Sequence, residues 1–156
     1  MADLREMLES AGLKNVTTYI QSGNLVFDSA KKSDQLEALV CKTIEKEYGY
    51  QVPTMVRSVT FFNKLYANNP FEGKDIKTLC ATILSDKPKK SLVTAIAEFK
   101  SGNDEFVVNK DVVYLYIPDG YSKTKLTNGF LEKKLEVKAT TRNWKTVGTL
   151  VEMAGG

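Results

Sequence analysis

The chain has 156 residues, 42% hydrophobic and 26% charged, with a net charge of +3 and no histidine. This length and ordinary composition predict one globular domain or two very small ones, and they exclude a disordered protein. The lack of histidine excludes histidine-based triads, general bases, metal ligands and pH switches.

The first half of the chain predicts two helices and three strands in the order α-β-β-α-β. Apolar residues recur at helical spacing in two stretches, and each of these stretches ends at a glycine. β-Branched residues and turn residues mark a hairpin between the two helices. The predicted elements are helix 2–11, strands 15–20 and 25–28, helix 33–48 and strand 51–57.

The second half predicts the order β-α-β-β-α-β-α. It opens with an apolar strand and continues with a helix that starts at Pro88, since proline favours the first turn. A short amphipathic helix near 61–66 links the halves. The predicted elements of this half are strand 78–84, a helix from Pro88, strands 105–108 and 112–117, helix 124–135, strand 137–141 and a last helix from Trp144.

The two halves match, except that the first has no opening strand. We therefore predict an α+β protein of two tandem ferredoxin-like βαββαβ units, 1–72 and 73–156, with a C-terminal helix. In that arrangement the first strand lies inside the sheet, so its loss leaves backbone groups without partners. We expect that the sequence begins late, through an internal start codon or a truncated form. A strand supplied by another chain is the alternative.

The two cysteines, Cys41 and Cys80, are 39 residues apart in the sequence. No CxxC pair is present, which excludes a zinc finger or a thioredoxin-type site. We predict buried free thiols, with a disulfide or a nucleophile as the alternatives. No signal-peptide pattern is visible, so we expect a reducing cytoplasm. Uncharged apolar stretches are too short for a membrane span, so we expect no membrane partner.

Several stretches in a fixed order carry a family resemblance. They are Met1–Arg5, the segment Asn15–Asn24, Asn69-Pro70-Phe71 and Thr140–Trp144. Together they resemble the bacterial family catalogued as domain of unknown function 1697. Members of that family usually carry a further strand and a glycine-containing loop before the segment that matches Met1. The resemblance implies a fold and no activity.

Two loops at predicted hairpin and helix ends are candidate binding sites. Ser22-Gly23-Asn24 suits a tight turn, because glycine and asparagine tolerate positive φ. The alternative is that Ser22, Asn24 and free backbone N–H groups contact a ligand. Tyr121–Lys125 follows Gly120 and opens a predicted helix, so Lys123 and the helix N-terminus are placed to hold an anion.

The third candidate is the start of the last helix. Thr141 or Asn143 is predicted to cap this helix, and Arg142 adds a planar fork suited to carboxylate or phosphate. The structural alternative pairs Arg142 with a local acid and makes Trp144 a core anchor. A fourth feature is the aromatic face of Tyr114 and Tyr116, which favours either RNA stacking or packing against another layer.

Residues 119–145 contain seven basic and three acidic residues, a local charge of +4 that could attract anions. A solvated lysine-rich helix face is the alternative. The leading hypothesis is a binding module for a nucleotide, a nucleic acid or a phosphorylated metabolite. The alternatives are an enzyme that uses Lys, Arg, Ser or Asn side chains, and a scaffold with a protein partner. No cofactor or metal is expected, and the sequence leaves the oligomeric state open.

Overall fold

The computed structural model describes residues 2–19, 24–49, 51–52 and 54–155. Within them the chain is α+β, with six α-helices and two antiparallel sheets. The elements are α1 (Ala2–Ser10), β1 (Lys14–Tyr19), β2 (Asn24–Asp28), α2 (Ser33–Tyr48), α3 (Val59–Ala67), a 3₁₀ turn (Ile76–Thr78), β3 (Leu79–Leu84), α4 (Lys90–Ile96), β4 (Glu105–Asn109), β5 (Val112–Tyr116), α5 (Asn128–Leu135), β6 (Ala139–Asn143) and α6 (Trp144–Met153).

The predicted α+β class is confirmed, and most element positions agree within two residues. Two predictions are wrong. The described residues of 51–57 form no strand, and helix α5 begins at Asn128 rather than near Thr124. The helix starts late because Thr127 takes the cap position, where its side chain accepts a hydrogen bond from Phe130 N at 3.2 Å.

The chain divides into two compact units, which we call the first unit (1–63 with 149–156) and the second unit (64–148). In the first unit, β1 and β2 form a two-stranded antiparallel ladder. Gly12 adopts φ +108°, which lets the chain leave α1 and enter β1 within a few residues. The buried core of this unit consists of Leu8, Leu13, Val16, Leu36, Val40 and Ile44.

The second unit contains a four-stranded antiparallel sheet in the order β4-β5-β3-β6. Helix α4 connects β3 to β4, and helix α5 connects β5 to β6, so the sequence order is β-α-β-β-α-β. Strand β3 pairs with β5 on one side and with β6 on the other. All six residues of β3 are buried, which agrees with its uncharged sequence LCATIL.

One face of this sheet meets the two connecting helices. Its buried cluster consists of Cys80, Leu84, Ile96, Val113, Leu115, Ile117, Leu126, Leu131, Leu135 and Ala139. Because side chains alternate along a strand, Leu79, Ala81 and Ile83 point to the opposite face. Tyr114, which pairs with Ala81, shares that opposite face and is 2% exposed.

A chain of hydrogen bonds crosses from β3 through β6 to α5. The hydroxyl of Thr141 donates to Asn128 Oδ1 at 2.9 Å, and Asn128 Nδ2 donates to Ala139 O at 2.9 Å. The Thr82 and Thr141 hydroxyl oxygens are 2.7 Å apart. Since the Thr141 proton points to Asn128, Thr82 is the donor in this pair. The fully buried Thr82 is thereby satisfied within an apolar strand.

Cys80 supplies a pH-dependent contribution to stability. Its burial raises the thiol pKa from 9.0 to about 11. Between these values the folded chain keeps a proton that the unfolded chain releases, so the free energy of unfolding falls as pH rises. We expect denaturant unfolding between about pH 8.5 and about pH 10.5 to show a larger fall for the wild type than for Cys80→Ala. Cys41→Ala is the control. An equal fall in the free energy of unfolding of the wild type and of Cys80→Ala would contradict the raised pKa of Cys80.

The buried hydroxyl of Tyr114 supplies a second measurable contribution. It donates to Leu65 O at 2.8 Å within the second unit. We expect Tyr114→Phe to lower the free energy of unfolding by about 1 kcal/mol, the usual value of a buried hydrogen bond. Tyr116→Phe removes the same atom from the neighbouring half-buried tyrosine and should leave stability nearly unchanged. Denaturant unfolding of both variants measures the difference, and equal effects would show that the hydrogen bond contributes nothing specific.

Candidate functional site

The junction of β6 and α6 carries three predicted site residues in succession, Arg142, Asn143 and Trp144. Strand β6 pairs with β3, so that Arg142 lies opposite Ala81 and Asn143 lies opposite Cys80. Helix α6 starts directly after the strand, at Trp144. These three residues therefore lie at a strand-to-helix turn, and their side chains contact different parts of the second unit.

Asn143 is the cap of helix α6. Its Oδ1 accepts a hydrogen bond from Thr146 N at 2.8 Å. Of the two capping residues that the sequence leaves open, Asn143 rather than Thr141 makes this contact, and the Thr141 hydroxyl points to Asn128 instead. The cap satisfies one of the N–H groups that a helix N-terminus would otherwise offer to an anion.

Arg142 places a charge on a largely covered face of the second unit. It is half-buried, and it shares its sheet face with Ala81 and Tyr114. Its Nη1 donates to Thr141 O at 3.0 Å, which holds the guanidinium along its own strand. Burial lowers the pKa of Arg142, because removal of water disfavours the charged form.

Trp144 is a core anchor, as the structural alternative predicts. It is 5% exposed, and its ring stacks on Tyr66 with centroids 5.1 Å apart and planes 10° apart. Its other aromatic neighbour is Tyr114, at 6.3 Å and 53°. Tyr66 is 42% exposed and covers the indole from the solvent side. A ligand at this junction would therefore meet Tyr66 before it met Trp144.

Sequence reasoning missed the pairing of Tyr66 with Gly148. A Cβ added at Gly148 would lie 3.3 Å from the Tyr66 Cε1 and Oη atoms, so the glycine makes room for the tyrosine ring. Gly148 is four residues after Trp144, which puts both on one face of α6. That spacing, beside an aromatic-rich α3, is the signal that could have identified the stack.

The loop that carries Lys123 is held by polar contacts with the turn before β4. Asp104 Oδ2 accepts hydrogen bonds from Ser101 Oγ at 2.7 Å and from Thr124 Oγ1 at 2.6 Å. Ser101 Oγ also accepts from Lys125 N at 2.8 Å. These contacts hold the Thr124 side chain and the Lys125 backbone, while Lys123 itself is exposed.

The predicted anion site at the N-terminus of α5 does not form as expected. Lys123 lies five residues before the first helical residue, Asn128. Two helical N–H groups already have partners, since Asn128 N donates to the Tyr121 hydroxyl and Phe130 N donates to Thr127. These side chains of the chain itself occupy the positions that an anion would take.

Lys123 and Arg142 belong to the same end of the second unit's sheet. Lys123 follows the end of β5, and Arg142 is near the end of β6, with β3 between these two strands. Because β3 lies between them, the β5 and β6 strands are two strand spacings apart, about 10 Å. The Lys123 loop is joined to Ser101 and Asp104, whereas the Arg142 guanidinium is joined to its own strand.

The first predicted loop lies mostly outside the described residues. Ser22 and Gly23 are among these undescribed positions, and Asn24 begins β2. Asn24 is 5% exposed and pairs with Tyr19, and its Nδ2 donates to Tyr19 O at 3.4 Å. These contacts agree with the hairpin role of Asn24.

The tyrosine face of β5 is used for packing. Tyr114 is buried, and Tyr116 packs against Phe71 at 5.9 Å with Lys74 Nζ 4.9 Å from its ring centroid. An RNA-stacking surface needs exposed ring faces on the sheet. The packing interpretation agrees with these positions, and the stacking interpretation does not.

No group of three metal-ligating side chains that could hold an ion occurs in the part of the chain that the structure describes. In the same residues, every helix is too short or too polar to cross a bilayer.

The fold is similar to that of a solved structure, the conserved bacterial protein SP0830 from Streptococcus pneumoniae. The TM-score is 0.78 at 21% sequence identity, over 100% of this chain and 89% of the streptococcal chain. A likeness at this identity concerns the fold. No functionally curated protein matches the sequence.

The model of one protein family matches residues 1–114, and this family is described as a protein of unknown function, DUF1697. The match covers residues 1–63 of the first unit and the second unit as far as Tyr114 within β5, and it agrees with the resemblance carried by the sequence motifs. The chain belongs to the DUF1697 family.

Proposed function

We propose that the chain is a binding module for a small anionic ligand, and that Arg142 is its principal contact. The observation that carries this proposal is a half-buried guanidinium at a strand-to-helix junction. A guanidinium in this position can offer N–H donors to a bound anion. A guanidinium also matches phosphate and carboxylate geometry through paired N–H donors.

The surroundings of Arg142 favour an anion as well. Lys145 follows on α6 and is exposed, and the segment 119–145 carries the local charge of +4. Such a charge raises the local concentration of anions and weakens with added salt. The exposed Tyr66 ring, stacked on Trp144, offers a flat apolar surface in the same unit.

A nucleotide or a phosphorylated metabolite is favoured over a single-stranded nucleic acid. A nucleic-acid sheet surface needs several exposed rings in a row, and the tyrosines of β5 are already packed. A small ligand needs one charged contact and one apolar surface. The Tyr121 hydroxyl already accepts the Asn128 N–H, so it gives no support to an enzymatic role for this loop.

We also propose that the two halves of the sequence, 1–72 and 73–156, are copies of one ferredoxin-like repeat. The element order of the first unit, α1-β1-β2-α2, matches α4-β4-β5-α5 of the second. Residues with positive φ occur at equivalent junctions between elements in the two halves. Gly12 and Gly102 precede the hairpins at φ +108° and +56°, and Gly49 and Glu136 end the later helices at φ +75° and +55°.

The test of the binding proposal is a titration with inorganic pyrophosphate and with adenosine monophosphate, followed by amide chemical shifts. We expect shifts at residues 141–146 and binding that weakens as salt rises. Arg142→Gln should weaken binding about tenfold or more, and Arg142→Lys, which keeps the charge and loses the fork, should have an intermediate effect.

Lys133→Ala is the matched control, since it removes one positive charge from an exposed position on α5. It should change the affinity by less than about twofold. A single-stranded oligonucleotide forms a parallel arm of the titration. Equal losses in Arg142→Gln and Lys133→Ala, no shifts at 141–146, or preference for the oligonucleotide would each contradict the proposal.

A further inference from the structure

The sequence contains a single Asn-Gly pair, Asn128-Gly129, and this pair lies in the first turn of α5. Asparagine before glycine is the sequence most prone to deamidation. The main-chain nitrogen of the second residue attacks the side-chain carbonyl of the first, and glycine has no Cβ to hinder the approach. Gly129 is exposed and Asn128 is half-buried, so water reaches this turn. The surrounding structure therefore decides whether the pair reacts.

Strand β6 holds both ends of the Asn128 carboxamide. The Asn128 Nδ2 atom donates to Ala139 O at 2.9 Å, and its Oδ1 atom accepts from the Thr141 hydroxyl at 2.9 Å. The Thr141 and Thr82 hydroxyl oxygens are 2.7 Å apart, and Thr82 is fully buried. The orientation of the carboxamide thus depends on a chain of hydrogen bonds that ends inside the sheet.

The backbone of the pair is held as well. Asn128 N donates to the Tyr121 hydroxyl at 2.8 Å. Thr127 caps the helix, since its side chain accepts from Phe130 N at 3.2 Å. Deamidation passes through a five-membered succinimide ring, which fixes ψ of Asn128 outside the helical region, so the first turn of α5 must open before the ring can close. In the folded chain, side-chain and main-chain contacts both oppose the attack.

The product of deamidation does not fit the same contacts. The Nδ2 donor becomes a carboxylate oxygen, so Ala139 O loses its partner and faces a second acceptor. Glu132 Oε2 accepts from Ala139 N at 2.8 Å, which places another negative charge at the same residue. Conversion of Asn128 would therefore weaken the junction of α5 and β6 that keeps the intact residue unreactive.

We propose that Asn128 is a deamidation site that the folded chain protects, and that its conversion follows opening of the α5–β6 junction. In the open state, Gly129 N loses its proton to solvent and forms a bond with Asn128 Cγ. The bond between Cγ and Nδ2 breaks, and the nitrogen takes up a proton and leaves as ammonia. Water then opens the succinimide at either carbonyl, which gives aspartate or isoaspartate. This inference is independent of the anion site.

The test compares deamidation of the full chain in mildly alkaline buffer and in concentrated urea at the same pH. Mass spectrometry of the tryptic peptide 126–133 follows Asn128. We expect Asn128 to convert at least about tenfold more slowly in the folded chain than in urea, because reaction requires local opening. In urea, Asn128 should convert faster than Asn109, since Asn109 is followed by Lys110, which has a side chain.

Three variants separate the chemistry from the protection. Gly129→Ala should slow conversion in urea about tenfold, and the folded chain accommodates it, because an added Cβ meets nothing within 4 Å. Thr141→Val removes the donor to Asn128 Oδ1 and should speed conversion of the folded chain about fivefold, the usual effect of one hydrogen bond. Thr140→Val removes the same atom on the opposite face of β6 and should change this rate by less than about twofold.

Asn128→Asp reproduces one product of the reaction. It should lower the urea midpoint of unfolding, whereas Asn109→Asp makes the same change at an exposed position and should leave the midpoint nearly unchanged. Equal rates of conversion in the folded chain and in urea would overturn the proposal. So would equal rates in Thr140→Val and Thr141→Val, undiminished conversion of Gly129→Ala in urea, or the same midpoint for both aspartate variants.

Discussion

The second unit depends on the pairing of β3 with two neighbours at once. This strand joins β5 to β6, and its side chains fill both faces of the sheet. A strand in that position cannot expose a charge on either side, and LCATIL has none. The same strand brings Arg142 beside Ala81 and Tyr114, so the candidate anion contact depends on it as well. Among the described residues of the first unit, the sheet consists of the β1–β2 ladder.

The candidate site combines a charge and an aromatic stack that are positioned by different constraints. Arg142 is placed by the pairing of β6 with β3, and Tyr66 is placed by its ring contact with Trp144. Asn143, between Arg142 and Trp144 in sequence, caps helix α6. A short motif of polar residues can therefore look like one binding site in sequence and divide into separate roles in the fold.

Periodicity and turn residues predicted nearly every element, because local pattern determines helix and strand formation in this chain. The hairpin 105–117 and helix 33–48 follow directly from alternation and helical spacing. Strand 51–57 was predicted wrongly, since the segment includes strand-forming residues, whereas its described residues are held by side-chain contacts with α2 and the core. The late start of α5 depends on Thr127, whose side chain accepts the Phe130 N–H, and on Tyr121, whose hydroxyl accepts the Asn128 N–H.

The candidate site was predictable only in part. Composition and helix patterns pointed to Arg142 and Lys123, but a linear sequence does not show that Lys123 lies on a loop fixed by Asp104. The stack of Tyr66 on Trp144 joins residues 78 positions apart, so the Trp144–Gly148 spacing on α6 indicates room for a ring but does not identify Tyr66 as that ring. Tyr114 is buried because Leu65 and Trp144, which are distant in sequence, pack over its face of the sheet.

The hydroxyl pair of Thr82 and Thr141 has a consequence for how β6 can move. Strand β6 is an edge strand of its sheet. A shift of its pairing with β3 by one residue would turn every β6 side chain to the opposite face of the sheet. Such slippage would send Arg142 into the apolar layer beneath α5 and would separate the two threonines. The hydrogen bond between Thr82 and Thr141 therefore fixes the register of the edge strand β6 and, with it, the position of the Arg142 guanidinium.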